Sequence, residues 1–498
     1  MRPALVQVLL AAGCMASRPA TAQTAANLYS FTPFTQNDGS NPNGGMVLSG
    51  NTLYGTTANG GTNYTGTLFR VNTDGSGYTN LHTFSANVYQ VFTNFGGGGI
   101  KPGGGGEFIN PTNADGSAPN GGLALVGNTL YGTAHGGGLG GYGNIFAINT
   151  DGSGFTNLHN FSTPVNSPTN SDGLSPFAGL IAAGNTLFGT TSEGGSRGWG
   201  TVFRINTDGS GLTELKAFDG LAMDPTTYYY TNADGAEPHG HLVLAGGTLY
   251  GTTTQGGSLG GGTIFAVGTN GSGFTTLHTL SSAISGTSPN ALTLAGNRLY
   301  GTTPAGGAAG GGTLFALNTN GSGFSTLHSF AYDAAGFNAI ADVVVSSNIV
   351  YGATEYDAQN FTGTIFGIYT DGTGFTTLYP FAALNFNTNV IGSGPTGLLL
   401  ANNVFYGSAS YGGATGNGAI FSLSQLPVPA PELNLTVQGN EVMLTWSTNA
   451  SGFSVQVTTN LAPPVVWVPV TPAPTIVNGL EMVTNAVAGN LKYYRLIH

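Results

Sequence analysis

"LYGTT" at residues 53–57 decides the fold, because near-copies of it return down the chain: "LYGTA" from 130, "LFGTT" from 187, and "LYGTT" again from 249 and 299. Looser versions stand at 350 ("VYGAT") and 405 ("FYGSA"). Three other short stretches surround each copy. Before it comes an apolar run after a turn, such as "NGGMVL" (43–48), "NGGLAL" (120–125) or "HGHLVL" (239–244). After it come "GTLFRVNT" (66–73), with relatives down to "GAIFSL" (418–423), and "GYTNLHTF" (77–84). All are short, rich in Leu, Ile, Val, Phe, Tyr and Thr, and bounded by Gly, Asn or Asp, as β-strands are. Helical spacing of apolar residues is never sustained. The "DGSG" between the third and fourth stretches (74–77, 151–154, 208–211) suits a tight hairpin, since Gly, Asp and Asn tolerate positive φ.

A four-stranded antiparallel unit of roughly 50–60 residues, repeated along the chain, predicts an all-β fold. The expectation is a seven-bladed β-propeller over residues 27–425. The third stretch occurs seven times, yet only six copies are followed by a fourth. "NLYSFTPF" (27–34) has the pattern of "NLHTFSAN" (80–87) and precedes the first unit. The N-terminal strand should therefore complete the last blade and close the ring, leaving no open edge. "LYGTT" reads as a blade strand whose Leu and Tyr pack between blades and whose Gly permits close backbone approach.

"DGSNPNGGMVLSGN", "GNTLYGTTANGG" and "GTLFRVNTDGSGYTNLHTF" together resemble the tandem repeat of the GloVer family of exported bacterial proteins. The resemblance covers about residues 27–426. It implies a secreted repeat protein and brings no catalytic residues with it. The fifth and sixth units depart from it by lacking "DG" before the first strand ("GTSPNALTL", "AAGFNAIADVV"). After the Pro-rich linker "LPVPAPE" (426–432) a different alternating pattern fills residues 433–498, with Trp446 and Trp467 as expected core residues. It resembles a small β-sandwich of the fibronectin type III kind.

Residues 1–22 read as a secretory signal: Arg2, an apolar stretch, then "ATA". The expected location is outside the cytoplasm, secreted or at a bacterial cell surface or periplasm. Cys14, the only cysteine, falls within this segment, so cleavage after Ala22 leaves no thiol or disulfide; lipidation at Cys14 is the alternative. No stretch is long and apolar enough for a transmembrane segment. Loss of Arg2 and Arg18 leaves 8 basic residues against 21 acidic ones. Without clustered Lys and Arg, nucleic acid is excluded as a partner.

Candidate sites concentrate in two sets of loops on one face. Those between the second and third stretches offer aromatic rings beside glycines: Tyr64, Tyr142, Trp199, Tyr411 and Phe361. An insertion at 219–235 adds Tyr229 and Tyr230, and another occupies 85–116. Exposed rings over polar loops suit a carbohydrate or a cell-surface protein; the other reading folds them back over neighbouring blades. The loops before the first strand place Asp38, Asp115, Asp172 and Asp234 at one repeat position. Converging carboxylates hold Ca²⁺; separate ones make local Asp-Gly turns. His82, His159, His278 and His328 share a repeat position with Lys216, Tyr29 and Tyr379, which argues for structure rather than ligation. His239 and His241, two apart on one strand, join His135 and Glu193 of the same face as a candidate acid–base or metal group for a hydrolase or lyase. The leading expectation is a non-catalytic binding protein without cofactor.

Overall fold

The computed structural model describes residues 24–32, 37–88, 111–164, 169–424, 431, 433–438, 441–447, 453–460, 465–477, 480–486 and 492–497. The signal region with Cys14, nearly all of the linker 426–432 and the centre of the 85–116 insertion lie outside the described residues. The described residues form strands and turns, and none of their segments is a helix long and apolar enough to cross a membrane. The chain is all-β and propeller-like.

Seven sheets follow one another, each with strand order matching the four stretches. The fourth is typical: Val243–Ala245, Thr248–Thr253, Thr263–Gly268 and Thr275–Thr279, all antiparallel. The first sheet carries an added strand, Ser40–Pro42, on its "LYGTT" strand. The last sheet takes its fourth strand from the other end of the chain, where Thr24–Ser30 pairs with Ala419–Ser424. That pairing skips Leu28, just as the other six sheets skip Leu81, Leu158, Leu215, Leu277, Leu327 and Leu378. Such a bulge bends the strand and frees one residue. The freed Leu lies beside the hairpin glycine of the following sheet, Leu28 beside Gly75 and Leu81 beside Gly152.

Successive residues of a strand face opposite sides. Leu53 therefore packs with Tyr406 and Ile420 of the last sheet, while Tyr54 packs with Leu130 and Phe146 of the second. Equivalent buried clusters join every other pair of successive sheets. The motif's Gly is not met by backbone, as expected, but by a ring. A Cβ on Gly55 would stand 2.7 Å from Cζ of Phe69, and the same Phe covers the same Gly in all seven sheets. The last Thr pairs its hydroxyl with a buried Thr of the next strand, as in Thr57–Thr67 (2.8 Å) and Thr253–Thr263 (2.9 Å). Where the motif ends in Ala, the partner changes as well: Ala134 faces Asn144 and Ala409 faces Ala419.

Beyond the linker, Asn434–Gln438, Glu441–Ser447, Leu480–Ala486 and Thr475–Val477 make one sheet. Ser454–Thr458, Val468–Pro469 and Tyr493–Ile497 make another. Trp446 is fully buried in their shared core. Trp467, expected beside it, is instead half-buried under the Arg495 guanidinium, 4.3 Å from the ring centre. Ile349 and Tyr369 of the sixth repeat sheet belong to the Trp446 cluster, so this region packs directly on that sheet.

Candidate functional site

Each first strand is reached through a residue held in the left-handed region: Asn41, Ala118, Ser175, Glu237, Ser288, Asn338 and Gly394. Each donates its backbone N–H to a carbonyl in a loop of the neighbouring sheet, as Ser175 does to Tyr142 (2.9 Å) and Asn41 to Asn417 (3.0 Å). These bonds gather the first strands around a cavity of about 300 Å³ lined by residues of all seven sheets. Its outer level carries Asn43, Asn120, Phe177, His239, Asn290, Ile340 and Thr396. Deeper, Gly44, Gly121 and Gly179 stand where a Cβ would meet the backbone of an adjacent sheet.

Both His239 and His241 line this cavity. His239 stacks on Phe177, ring centres 5.0 Å apart, and the edge of that ring meets His135 at 5.6 Å. Burial lowers the pKa of His239, and nearby His135 adds to this. Burial likewise lowers that of His135, against an opposing pull from Glu193. Glu193 is exposed and reaches the group only through its charge, which also acts on Glu237. Burial raises the Glu237 carboxyl although Gln255 donates to it at 2.7 Å. Among the described residues, no hydrogen bond joins any two of His135, Glu193, His239 and His241. His241 instead faces Asp342, a residue the repeat pattern did not single out, with Nδ1 3.4 Å from Oδ2. The signal was present: the equivalent place holds Gly45, Gly122 and Gly179 in the first three sheets.

The four aspartates do not converge. Each is buried at a separate boundary between sheets and engaged by the fourth-strand residue that shares a position with the histidines. Tyr29 donates to Asp38 (2.7 Å), His82 and His159 contact Asp115 and Asp172 (2.8 Å each), and Lys216 pairs with Asp234. Burial alone would raise the Asp115 and Asp172 carboxyls, but the histidines and the Ser85 and Ser162 N–H groups hold both below the ordinary value. They are latches between sheets rather than a Ca²⁺ cage. Among the described residues, no group of three or more His, Cys, Asp or Glu is placed to hold a metal ion.

The aromatics divide by a single loop position. Tyr142 and Trp199 fold back against the cores between sheets, contrary to the exposed reading. One place earlier in the loop, Tyr64 and Phe361 are 61% and 65% exposed. Both hold left-handed backbone (φ 60° and 57°) where the other five sheets use Gly141, Gly198, Gly260, Gly310 and Gly416. Tyr229, Tyr230 and Tyr411 are exposed as well.

The Gloeobacter/Verrucomicrobia repeat model matches residues 100–229 and 223–421, more than half of the chain, which belongs to that family. No curated protein matches the sequence. Among solved structures, the chain is similar to the GH74 enzyme of Niastella koreensis, with 15% identity, 85% of this chain and 59% of that one covered, and a TM-score of 0.47. It is similar to TolB of Acinetobacter baumannii (12% identity, 62% and 58% covered, TM-score 0.34). It is also similar to the oligogalacturonate lyase of Vibrio parahaemolyticus (7%, 81% and 97%, TM-score 0.47). The chain thus spans about 59% of the first of these structures and 58% of the second. Likeness at this level transfers no activity.

Proposed function

We propose that this member of the Gloeobacter/Verrucomicrobia repeat family is an exported, non-catalytic binding protein that holds a glycan on the loop face of a closed seven-bladed β-propeller. Three observations support the ring: the N-terminal strand in the last sheet, the apolar cluster between last and first sheets, and the cavity bordered by all seven. The C-terminal region is read as a small β-sandwich of the fibronectin type III kind, and export rests on the sequence of residues 1–22.

One observation carries the binding reading. Tyr64 and Phe361 occupy a strained backbone position that the repeat fills with Gly, and they bury little there. A side chain in the left-handed region costs about 1–2 kcal/mol. Their exposed faces are placed where a sugar ring would stack. A protein segment is the second candidate ligand. The hydrolase or lyase reading is weaker, because His135, Glu193, His239 and His241 share no hydrogen bond and burial favours the neutral forms of two of them.

The test is a glycan array on the chain from residue 23, followed by affinity measurements on Tyr64→Gly and Phe361→Gly. These variants restore the residue the other sheets use, so stability should hold while affinity falls about tenfold or more. Unchanged affinity in both, or no glycan bound, would overturn the reading.

A further inference from the structure

The deepest level of the seven-sheet cavity is almost bare. Three sheets place Gly45, Gly122 and Gly179 there, and the fifth and seventh are one residue shorter between Pro and strand ("PNAL", 289–292; "PTGL", 395–398). The fifth sheet adds only the methyl of Ala291, while the fourth and sixth project polar side chains, His241 and Asp342, and these two meet. Asp342 reaches far enough that its Oδ2 lies 4.0 Å from the place a Cβ on Gly45 of the first sheet would occupy. The pair thus forms the floor of the cavity.

We infer that this floor binds one neutral sugar ring through His241 and Asp342. The two groups are 3.4 Å apart, wider than a good hydrogen bond, and each side chain is 35% exposed. One hydroxyl can bridge the pair from the cavity side, donating to the Asp342 carboxylate and accepting from the imidazole N–H. The level above supplies the rest of a sugar site. His239 stacked on Phe177 offers an aromatic wall, and the Asn43 and Asn120 side-chain amides, which line the same cavity, make no hydrogen bond among the described residues. Asn290, by contrast, is already engaged with Thr302 and the Ala339 carbonyl. Asp342 brings the one carboxylate to the described lining, which holds no Lys, Arg or Glu. A single carboxylate among neutral polar groups suits an uncharged polyol over a phosphate. A volume of about 300 Å³ lies at the lower end of ligand pockets, the scale of a single ring with its water. This inference shares a ligand class with the glycan reading above but uses a different site.

The experiment is saturation-transfer NMR on the chain from residue 23 with glucose, galactose, mannose, xylose and N-acetylglucosamine, and with glucuronate as a charged control. At least one neutral sugar should give transfer and glucuronate none. His241→Gly and Asp342→Gly, which install the residue of the first three sheets, should each weaken binding about tenfold or more without loss of fold. If either unfolds, His241→Gln and Asp342→Asn keep the shape and should weaken binding in the same direction. Tyr64→Gly and Phe361→Gly should leave the monosaccharide signal intact, which separates this site from the loop face. Silence across the neutral panel, or a signal that survives both floor substitutions, would overturn the inference.

Discussion

Ile349 lies directly opposite Tyr369 in the sixth sheet, and together they form the seat on which the C-terminal region rests. In the first three sheets the same facing pair is Thr and Asn, as at Thr52–Asn72, Thr129–Asn149 and Thr186–Asn206. The repeat has exchanged a polar rim for an apolar one where a second core meets it. Replacing Ile349 with Thr and Tyr369 with Asn should undock the C-terminal region while leaving the sheets intact. Losing two large buried side chains from that contact removes about 3–5 kcal/mol. Calorimetry should then resolve two melting transitions, and a single unchanged transition would contradict the contact.

The Phe-over-Gly lid sets a steric prediction. Gly251 has no positive φ to protect, yet a Cβ there would press on Phe265 and Leu242. Gly251→Ala should destabilise by about 1–3 kcal/mol through overpacking. Urea melts decide it.

The Asp latch predicts graded costs. Asp172→Ala leaves His159 and the Ser162 N–H without their acceptor, a loss of about 2–4 kcal/mol. Asp172→Ser should cost less, because Ser285 already occupies this position next to His278. Equal costs in thermal melts would mean that a serine hydroxyl cannot stand in for the carboxylate at this boundary.

Acid should weaken the protein in two steps. His328 stacks on Phe375 at 3.7 Å, and Ala335 fills the position where the first four sheets have Asp; burial lowers the His328 pKa from 6.5 to about 4, with Asp333 opposing. The unfolded chain therefore takes up this proton first as pH falls. Stability is complete above pH 6.5 and is lost between 6.5 and about 4. The depressed Asp115 and Asp172 carboxyls act lower, and their contribution fades only as pH drops through 3.8. His328→Tyr, the residue found at Tyr29 and Tyr379, should recover about 1–3 kcal/mol at pH 4.5 relative to pH 7. Parallel pH–stability curves for the two proteins would refute the assignment.

A chain beginning at Ser40 lacks the strand Thr24–Ser30 and leaves Ala419–Ser424 as an open edge. It also removes Leu28 and Phe31 from the core between last and first sheets. Its midpoint should fall by many degrees, and melting like the longer chain would rule out the proposed closure.

The sheets were legible in the sequence because each strand repeats a pattern of two, and a repeat averages out local ambiguity. The borrowed N-terminal strand was legible for the same reason, as a fourth stretch missing at one end and present at the other. The latch was not. Its two halves were each visible as a repeat position, but no spacing says that His82 meets Asp115 across a boundary. Tyr142 and Tyr64 looked alike because both sit among glycines, and a shift of one place decides which ring turns inward. Asp342 escaped notice because the sixth unit lacks the "DG" that would have set it level with Gly45.

Thr24 pairs with Ser424, so the first residue of one strand and the last of the other lie at the same side of the last sheet. Antiparallel ladder bonds run across the strands. A pull between those ends would load the bonds one after another, like opening a zipper, rather than all together in shear. If the chain is tugged at those two points, the seam is expected to yield at low force while the remaining six sheets stay folded. Force applied there falls on one seam, whereas heat acts on every sheet at once.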